Sequence, residues 1–206
     1  MFDPESLKLL AITDDLRDGR DGLVARTAAA VRGGATMIQL RLKDENARSM
    51  VEVALALLAA LPAHVPLIIN DRVDVALAAG AAGVHLGADD MPVAAARRIA
   101  PPGFVIGASV GNDSEVPNSR VADYVGIGPL FATGSKADAG SAIGSAELAR
   151  LAALCALPAV AIGGIDPSNV HDAIAAGARG VAVISAVFHA RDPEAAARAM
   201  RSAIPS

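Results

Sequence analysis

Eight short runs of aliphatic and β-branched residues recur along this chain, each followed by an alanine-rich stretch of helical composition. They are Lys8 to Thr13, Met37 to Leu42, Pro66 to Asn70, Gly83 to Leu86, Val105 to Ser109, Tyr124 to Gly128, Ala159 to Gly163 and Gly180 to Ser185. Strand alternating with helix in this way predicts a parallel sheet with helical crossovers. Gly33-Gly34-Ala35, Ala79-Gly80-Ala81 and Gly177-Ala178-Arg179-Gly180 precede strands, where glycine can end a helix in the left-handed conformation. Eight units of similar size without a linker favour closure into one α/β domain, a (β/α)8 TIM barrel over residues 1–206, rather than a doubly wound open sheet. The segment Glu115-Val116-Pro117-Asn118-Ser119-Arg120 is a poor helix, so the fifth crossover is expected to be short or irregular.

Composition narrows the function classes. Five aromatics in 206 residues and a net charge of -4 leave no stacking surface and no broad basic face, so nucleic acid is excluded as a partner. The apolar run Val53 to Leu61 stops at Pro62, far short of the roughly 20 residues that span a bilayer. The first residues, with Asp3 and Glu5, lack the layout of a secretory signal, and the expectation is a soluble cytoplasmic protein. The single Cys155 rules out an intrachain disulfide and sits in the apolar pattern of a helix, where it reads as core.

In a barrel the active face lies at the carboxyl ends of the strands, and the polar residues of this chain fall there. Gln39, Arg41 and Lys43 alternate with Ile38, Leu40 and Leu42, so the former three share one strand face and deliver two cations to one place. Such a pair calls for an anionic ligand. Asp71 and Asp90 follow the third and fourth strands; singly each reads as a helix cap worth about 1 kcal/mol, and as a pair they could share Mg²⁺. Gly163-Gly164 and Ser185-Ala186 stand after strands seven and eight, where barrels often hold a phosphate on backbone N–H groups. After the sixth strand, Gly128 to Gly144 is long for a βα loop and reads as a lid carrying Thr133, Gly134, Ser135 and Lys136. Two anion sites in one barrel suit an enzyme that joins two small phosphorylated substrates. The four histidines form no His-Glu-His or Ser-His-Asp pattern, and His85, which ends a strand, reads as structural.

Five motifs in order carry a resemblance over nearly the whole chain: Ile38-Gln39-Leu40-Arg41-Leu42-Lys43, Ile69-Asn70-Asp71-Arg72-Val73-Asp74, Gly83-Val84-His85-Leu86-Gly87, Tyr124-Val125-Gly126-Ile127-Gly128-Pro129 and Ala161-Ile162-Gly163-Gly164-Ile165. Together they resemble the thiamine phosphate synthase family. The resemblance implies a transferase of thiamine biosynthesis that couples a hydroxymethylpyrimidine diphosphate to a thiazole phosphate, giving thiamine phosphate and pyrophosphate. By position it implies that Gln39, Leu40, Arg41, Leu42, Lys43, Asn70, Ser109 and Lys136 hold the pyrimidine diphosphate. Thr133, Gly134, Ser135, Gly164, Ile184 and Ser185 would hold the thiazole phosphate, and Asp71 and Asp90 would hold Mg²⁺. Arg41, Lys43, Lys136 and Ser109 would act on the reacting groups. Two places differ from the usual pattern: Val110-Gly111-Asn112 follows Ser109 where a histidine is common, and the loop reads Thr133-Gly134-Ser135-Lys136. The rival readings are a thiazole tautomerase-like enzyme and a non-catalytic thiazole-phosphate binding protein; a homodimer is left open.

Overall fold

The protein is described here by a computed structural model, which covers residues 2–134 and 140–205. Eight strands appear in chain order: β1 (Leu9–Ile12), β2 (Met37–Leu40), β3 (Leu67–Asn70), β4 (Gly83–Leu86), β5 (Val105–Val110), β6 (Tyr124–Ile127), β7 (Ala159–Ile162) and β8 (Gly180–Val183). The helices are α1 (Gly19–Arg32), α2 (Ala47–Ala60), α3 (Val73–Ala79), α4 (Val93–Ile99), α5 (Val116–Ser119), α6 (Gly144–Cys155), α7 (Val170–Ala175), α8 (Ser185–Phe188) and α9 (Pro193–Ala203). Each strand pairs in parallel with the next, and β8 returns to β1 with Leu10 opposite Ala182, closing the TIM barrel. All eight expected strands are present. The fifth crossover is irregular as expected, a 3-10 turn over Asp113–Glu115 running into the four-residue α5.

Alternation along each strand sorts side chains into two cores. Ile38, Leu40, Ile69, Val84, Ile106, Val125, Ala161 and Val181 face outward under the helices. Leu10, Ile12, Met37, Ile68, Val105, Tyr124, Val160 and Ala182 fill the barrel, and Leu7 and Phe2 pack beneath them, with the Phe2 ring stacked on Tyr124 at 5.9 Å. Cys155 ends α6, half-buried against the outer core, as its apolar pattern implies. Among the described residues no helix is long and apolar enough to cross a membrane.

A barrel of eight strands has room inside for large side chains on only some of them, and glycines supply the rest of the space. A Cβ on Gly107 would lie 2.3 Å from the Tyr124 ring and 2.4 Å from His85 Nδ1; one on Gly126 would lie 3.1 Å from His85. These two glycines let a histidine and a tyrosine sit side by side in the barrel. Gly107→Ala should therefore lower stability by about 1–3 kcal/mol through overpacking. A urea denaturation midpoint unchanged from the parent protein would contradict this account.

Candidate active site

The carboxyl ends of the strands open into a cavity of about 550 Å³. On one side its wall carries Arg41, Lys43, Asn70, Asp71, Asp90 and Ser109; on the other, Thr133, Gly163, Gly164, Ile184 and Ser185. The residues singled out on seven separate strand ends thus converge on one space. Ser135 and Lys136 lie outside the described residues.

The Gln39 to Lys43 segment divides by depth. All three polar side chains leave the same strand face, but each step of two residues advances roughly 6–7 Å along it. Gln39 is 1% exposed and lies below the cavity floor in the barrel interior, whereas Arg41 and Lys43, beyond the last residue of β2, stand on the wall. Gln39 therefore lies deeper than the two cations with which it shares a strand face. Leu40 and Leu42 are buried in the outer core, so what they could offer a ligand is main chain.

Thr13, fully buried at the end of β1, fixes the position of Arg41. Its N–H donates to Gln39 O at 2.9 Å; its Oγ1 accepts from Arg41 N–H at 2.9 Å and lies 3.2 Å from Arg41 O. One threonine thereby carries the β1–β2 pairing past the strand ends, a role that a lone Thr in a strand run does not advertise. Arg41 Nε is buried without a hydrogen-bond partner among the described residues, a donor held beside an open cavity.

The reading of Asp71 and Asp90 as helix caps is corrected. The residue before α3 is Arg72 and the residue before α4 is Pro92, and neither of these caps its helix with a side chain; the first N–H of α4, on Val93, donates to Asn118 Oδ1 at 3.1 Å. Asp71 instead takes a left-handed backbone, φ 64°, its N–H donating to His85 O at 2.8 Å while Arg72 N–H donates to Asn70 O at 2.8 Å. Left-handed backbone at a non-glycine residue is uncommon and costs energy, and it concentrates where a side chain must be aimed. Asp90 Oδ2 accepts from Gly87 N–H at 2.6 Å, closing the turn after β4. Among the described residues no three His, Cys, Asp or Glu side chains group as a metal-ligand set. A carboxylate pair on open loops is nonetheless the oxygen donor type Mg²⁺ takes, with water and phosphate oxygens completing the sphere.

The glycine pair after β7 has a use beyond close approach to a ligand. Gly163 and Gly164 have φ 100° and 63°, and the start of the long loop lies flush against them: a Cβ on Gly163 would meet Pro129 at 2.5 Å, and one on Gly164 would meet Ala132 O at 2.6 Å. Leu130 and Phe131 N–H groups donate to Ile162 O and Gly163 O at 2.7 and 3.0 Å. The far end of the loop returns to the same place, Ile143 N–H to Pro129 O at 2.9 Å. The start of the expected lid is therefore anchored at the end of β7, and its far end is anchored on that start.

Several wall residues were not anticipated, three of them acidic or amide side chains. Asp89, Asn112 and Glu115 line the cavity, with Glu115 accepting from Gly111 N–H at 2.8 Å and Asn112 Nδ2 at 2.7 Å to hold the loop after β5. His85 is also more than filler, because it bonds Tyr124 at 3.0 Å through Nδ1 and Ser109 at 3.1 Å through Nε2.

Residues 9–187 match the family model described as thiamine monophosphate synthase. The chain is 52% identical over 204 residues to the thiamine-phosphate synthase of Xanthobacter autotrophicus, covering 98% of this chain and 97% of that protein. It belongs to the thiamine-phosphate synthase family. Within that family it is also 54% identical over 184 residues to the enzyme of Methanoculleus marisnigri, covering 88% of this chain and 86% of that one. The solved thiamine phosphate pyrophosphorylase of Pyrococcus furiosus superposes with a TM-score of 0.87 at 39% identity, over 98% of this chain and 96% of its own. A 3-hexulose-6-phosphate synthase, at 18% identity and a TM-score of 0.70, shares the barrel.

Asp71 stands on a loop whose backbone is itself a constraint. Asp71→Val, β-branched in a left-handed position, should cost about 1–3 kcal/mol, and Asp71→Gly should cost little. Equal loss in both variants by urea denaturation would assign the cost to the carboxylate and not to the backbone.

Proposed function

We propose that this protein is itself a thiamine-phosphate synthase, condensing 4-amino-2-methyl-5-(diphosphooxymethyl)pyrimidine with thiazole phosphate in a dissociative, Mg²⁺-assisted substitution. The observation that carries the reading is the single cavity bearing Arg41, Lys43, Asn70, Asp71, Asp90 and Ser109 opposite Thr133, Gly164 and Ser185. Identity near 50% over nearly the full chain to proteins named for this activity supports it over a tautomerase or a silent binding protein.

The mechanism asks little covalent work of the protein. The electron-rich aminopyrimidine stabilises a methylene cation, so the C–O bond to the diphosphate breaks first and the thiazole nitrogen then attacks that carbon. The chain's task is to stabilise charge on the departing pyrophosphate and to hold the thiazole in line. Arg41 and Lys43 meet the diphosphate from the wall, and Lys136, outside the described residues, supplies a third cation to it. Thr133, Gly134, Ser135, Gly164, Ile184 and Ser185 orient the thiazole phosphate.

Charge balance favours a metal in this scheme. Among the described residues the cavity wall bears Arg41 and Lys43 against Asp71, Asp89, Asp90 and Glu115, two cations against four carboxylates. A diphosphate entering that field is repelled unless the carboxylates are neutralised. Mg²⁺ held by Asp71 and Asp90 would neutralise them and draw charge off the leaving group.

Mass spectrometry on purified protein with both substrates should detect thiamine phosphate and pyrophosphate together, only with Mg²⁺ present. Arg41→Ala, Lys136→Ala and Asp71→Asn should each lower kcat by about 10²–10³-fold, the usual loss when one donor to developing charge is removed. Circular dichroism would verify that the variants fold. Metal-independent turnover would remove the role given to Asp71 and Asp90, and absence of product beside a working control enzyme would overturn the synthase reading.

A further inference from the structure

Asn169 stands immediately before α7, where an asparagine commonly caps a helix, yet its side chain makes no cap bond to α7. It reaches back instead to the turn after β7: Nδ2 donates to Gly164 O at 2.9 Å, and Oδ1 accepts from Asp166 N–H at 2.9 Å. Both ends of the amide are thereby spent on the loop between β7 and α7. We propose that Asn169 is a positioning residue for the thiazole phosphate: by holding the Gly164 carbonyl it turns the Ile165 N–H into the cavity as a donor to phosphate.

Peptide geometry sets the direction. In a trans peptide the C=O and the N–H that follows it point opposite ways, and the bond from Gly164 to Ile165 is trans, the one cis bond among the described residues being Gly128-Pro129. Fixing Gly164 O on Asn169 therefore aims the Ile165 N–H away from Asn169. The preceding peptide is held in the same manner, because Gly163 O accepts from Phe131 N–H at 3.0 Å and the Gly164 N–H is left on the other side. Among the described residues Gly163, Gly164 and Ile165 line the cavity, Phe131 and Asn169 do not, and neither the Gly164 nor the Ile165 N–H donates to another group.

The turn needs such a hold because of its glycines. Gly163 and Gly164 give the chain the left-handed backbone it follows here, but a residue without a Cβ also leaves the peptide after it free to rotate. A partner on the carbonyl has to choose the orientation, and for the Gly164–Ile165 peptide that partner is Asn169. Successive N–H groups turned to one side form a concavity that suits an anion, and bonds from N–H to phosphate oxygen are of the strong, charge-assisted kind. The rest of the loop keeps its shape by other means: Ser168 N–H donates to Asp166 Oδ1 at 2.8 Å, and Val170 N–H donates to Asp166 O at 3.0 Å. Cutting back Asn169 thus frees one peptide plane and leaves the loop closed.

Naming the phosphate as that of the thiazole substrate rests on the synthase reading, but the orientation of the Ile165 N–H does not. Titrating inorganic phosphate into ¹⁵N-labelled protein should move the amide proton signals of Gly164 and Ile165 downfield to saturation, and Asn169→Ala should weaken that binding about tenfold, the scale of one hydrogen bond to a charged group. Signals that stay in place in the parent protein would overturn the proposal whether or not the protein makes thiamine phosphate. Binding that depends on Asn169 in a protein without synthase activity would uphold it and remove only the name of the phosphate. In steady-state kinetics Asn169→Ala should raise KM for thiazole phosphate about tenfold, with kcat and KM for the pyrimidine diphosphate nearly unchanged, the pattern of a lost contact made equally before and during the reaction. Equal rises in both KM values would show that Asn169 only supports the fold and would overturn its positioning role. Asn169→Ser keeps an oxygen for the Asp166 N–H, as serine does in turns, but has no amide for Gly164 O, and should match Asn169→Ala. Return of the parent KM in that variant would assign the effect to the Asp166 bond and overturn the role given to Gly164.

Discussion

The pairing of β8 with β1 is the constraint on which the rest depends. Closure gives every strand two partners and no exposed edge, and it aims all eight carboxyl ends at one opening. It also fixes how much can fit inside. Tyr124 and His85 occupy the barrel because Gly107 and Gly126 beside them have no side chains, and the polar ends of these rings then require partners. The hydrogen-bonded file to Ser109 follows from a packing decision made at two glycines.

The wall of the cavity is built where strand pairing continues past the strands themselves. Thr13 carries pairing from β1 to Arg41, and Leu130 and Phe131 carry it from the loop after β6 to the end of β7. These extensions hold the start of each loop rigidly while leaving its tip to sequence. A cation or a hydroxyl placed one or two residues beyond a strand is therefore positioned nearly as well as one on the strand, which is what charge stabilisation requires.

Much of this was legible in the chain. Alternating runs gave eight strands with errors of one or two residues, and Ile38, Leu40 and Leu42 fall on the outer face as their period demands. Depth along a strand was not legible, because period two tells which side a residue faces but not how deep it lies, as Gln39 below Arg41 and Lys43 shows. Asp71 looked like a cap because Asp before an apolar run usually is one, and its left-handed backbone is set by the bonds between Asp71 and His85 and between Arg72 and Asn70. Asp89, Asn112 and Glu115 gave no signal beyond being polar in loops. His85 was read as structural from the lack of any pattern around it, yet its partners Tyr124 and Ser109 lie 39 and 24 residues away, brought close only by the barrel.

A histidine bonded to a serine at the floor of a cavity invites comparison with a nucleophilic serine, and the partner of the other ring nitrogen distinguishes them. In an acyl-transfer triad that nitrogen faces a carboxylate, which supports the imidazolium formed when the serine gives up its proton. Here it faces the Tyr124 hydroxyl, whose titration burial pushes well above its ordinary value, in place of a carboxylate. Ser109 is thus left as a hydroxyl. That suits a reaction in which the leaving group departs before attack and the new bond forms from a substrate nitrogen: the protein needs polar groups that hold charge and geometry, and an activated serine would only compete for the cation.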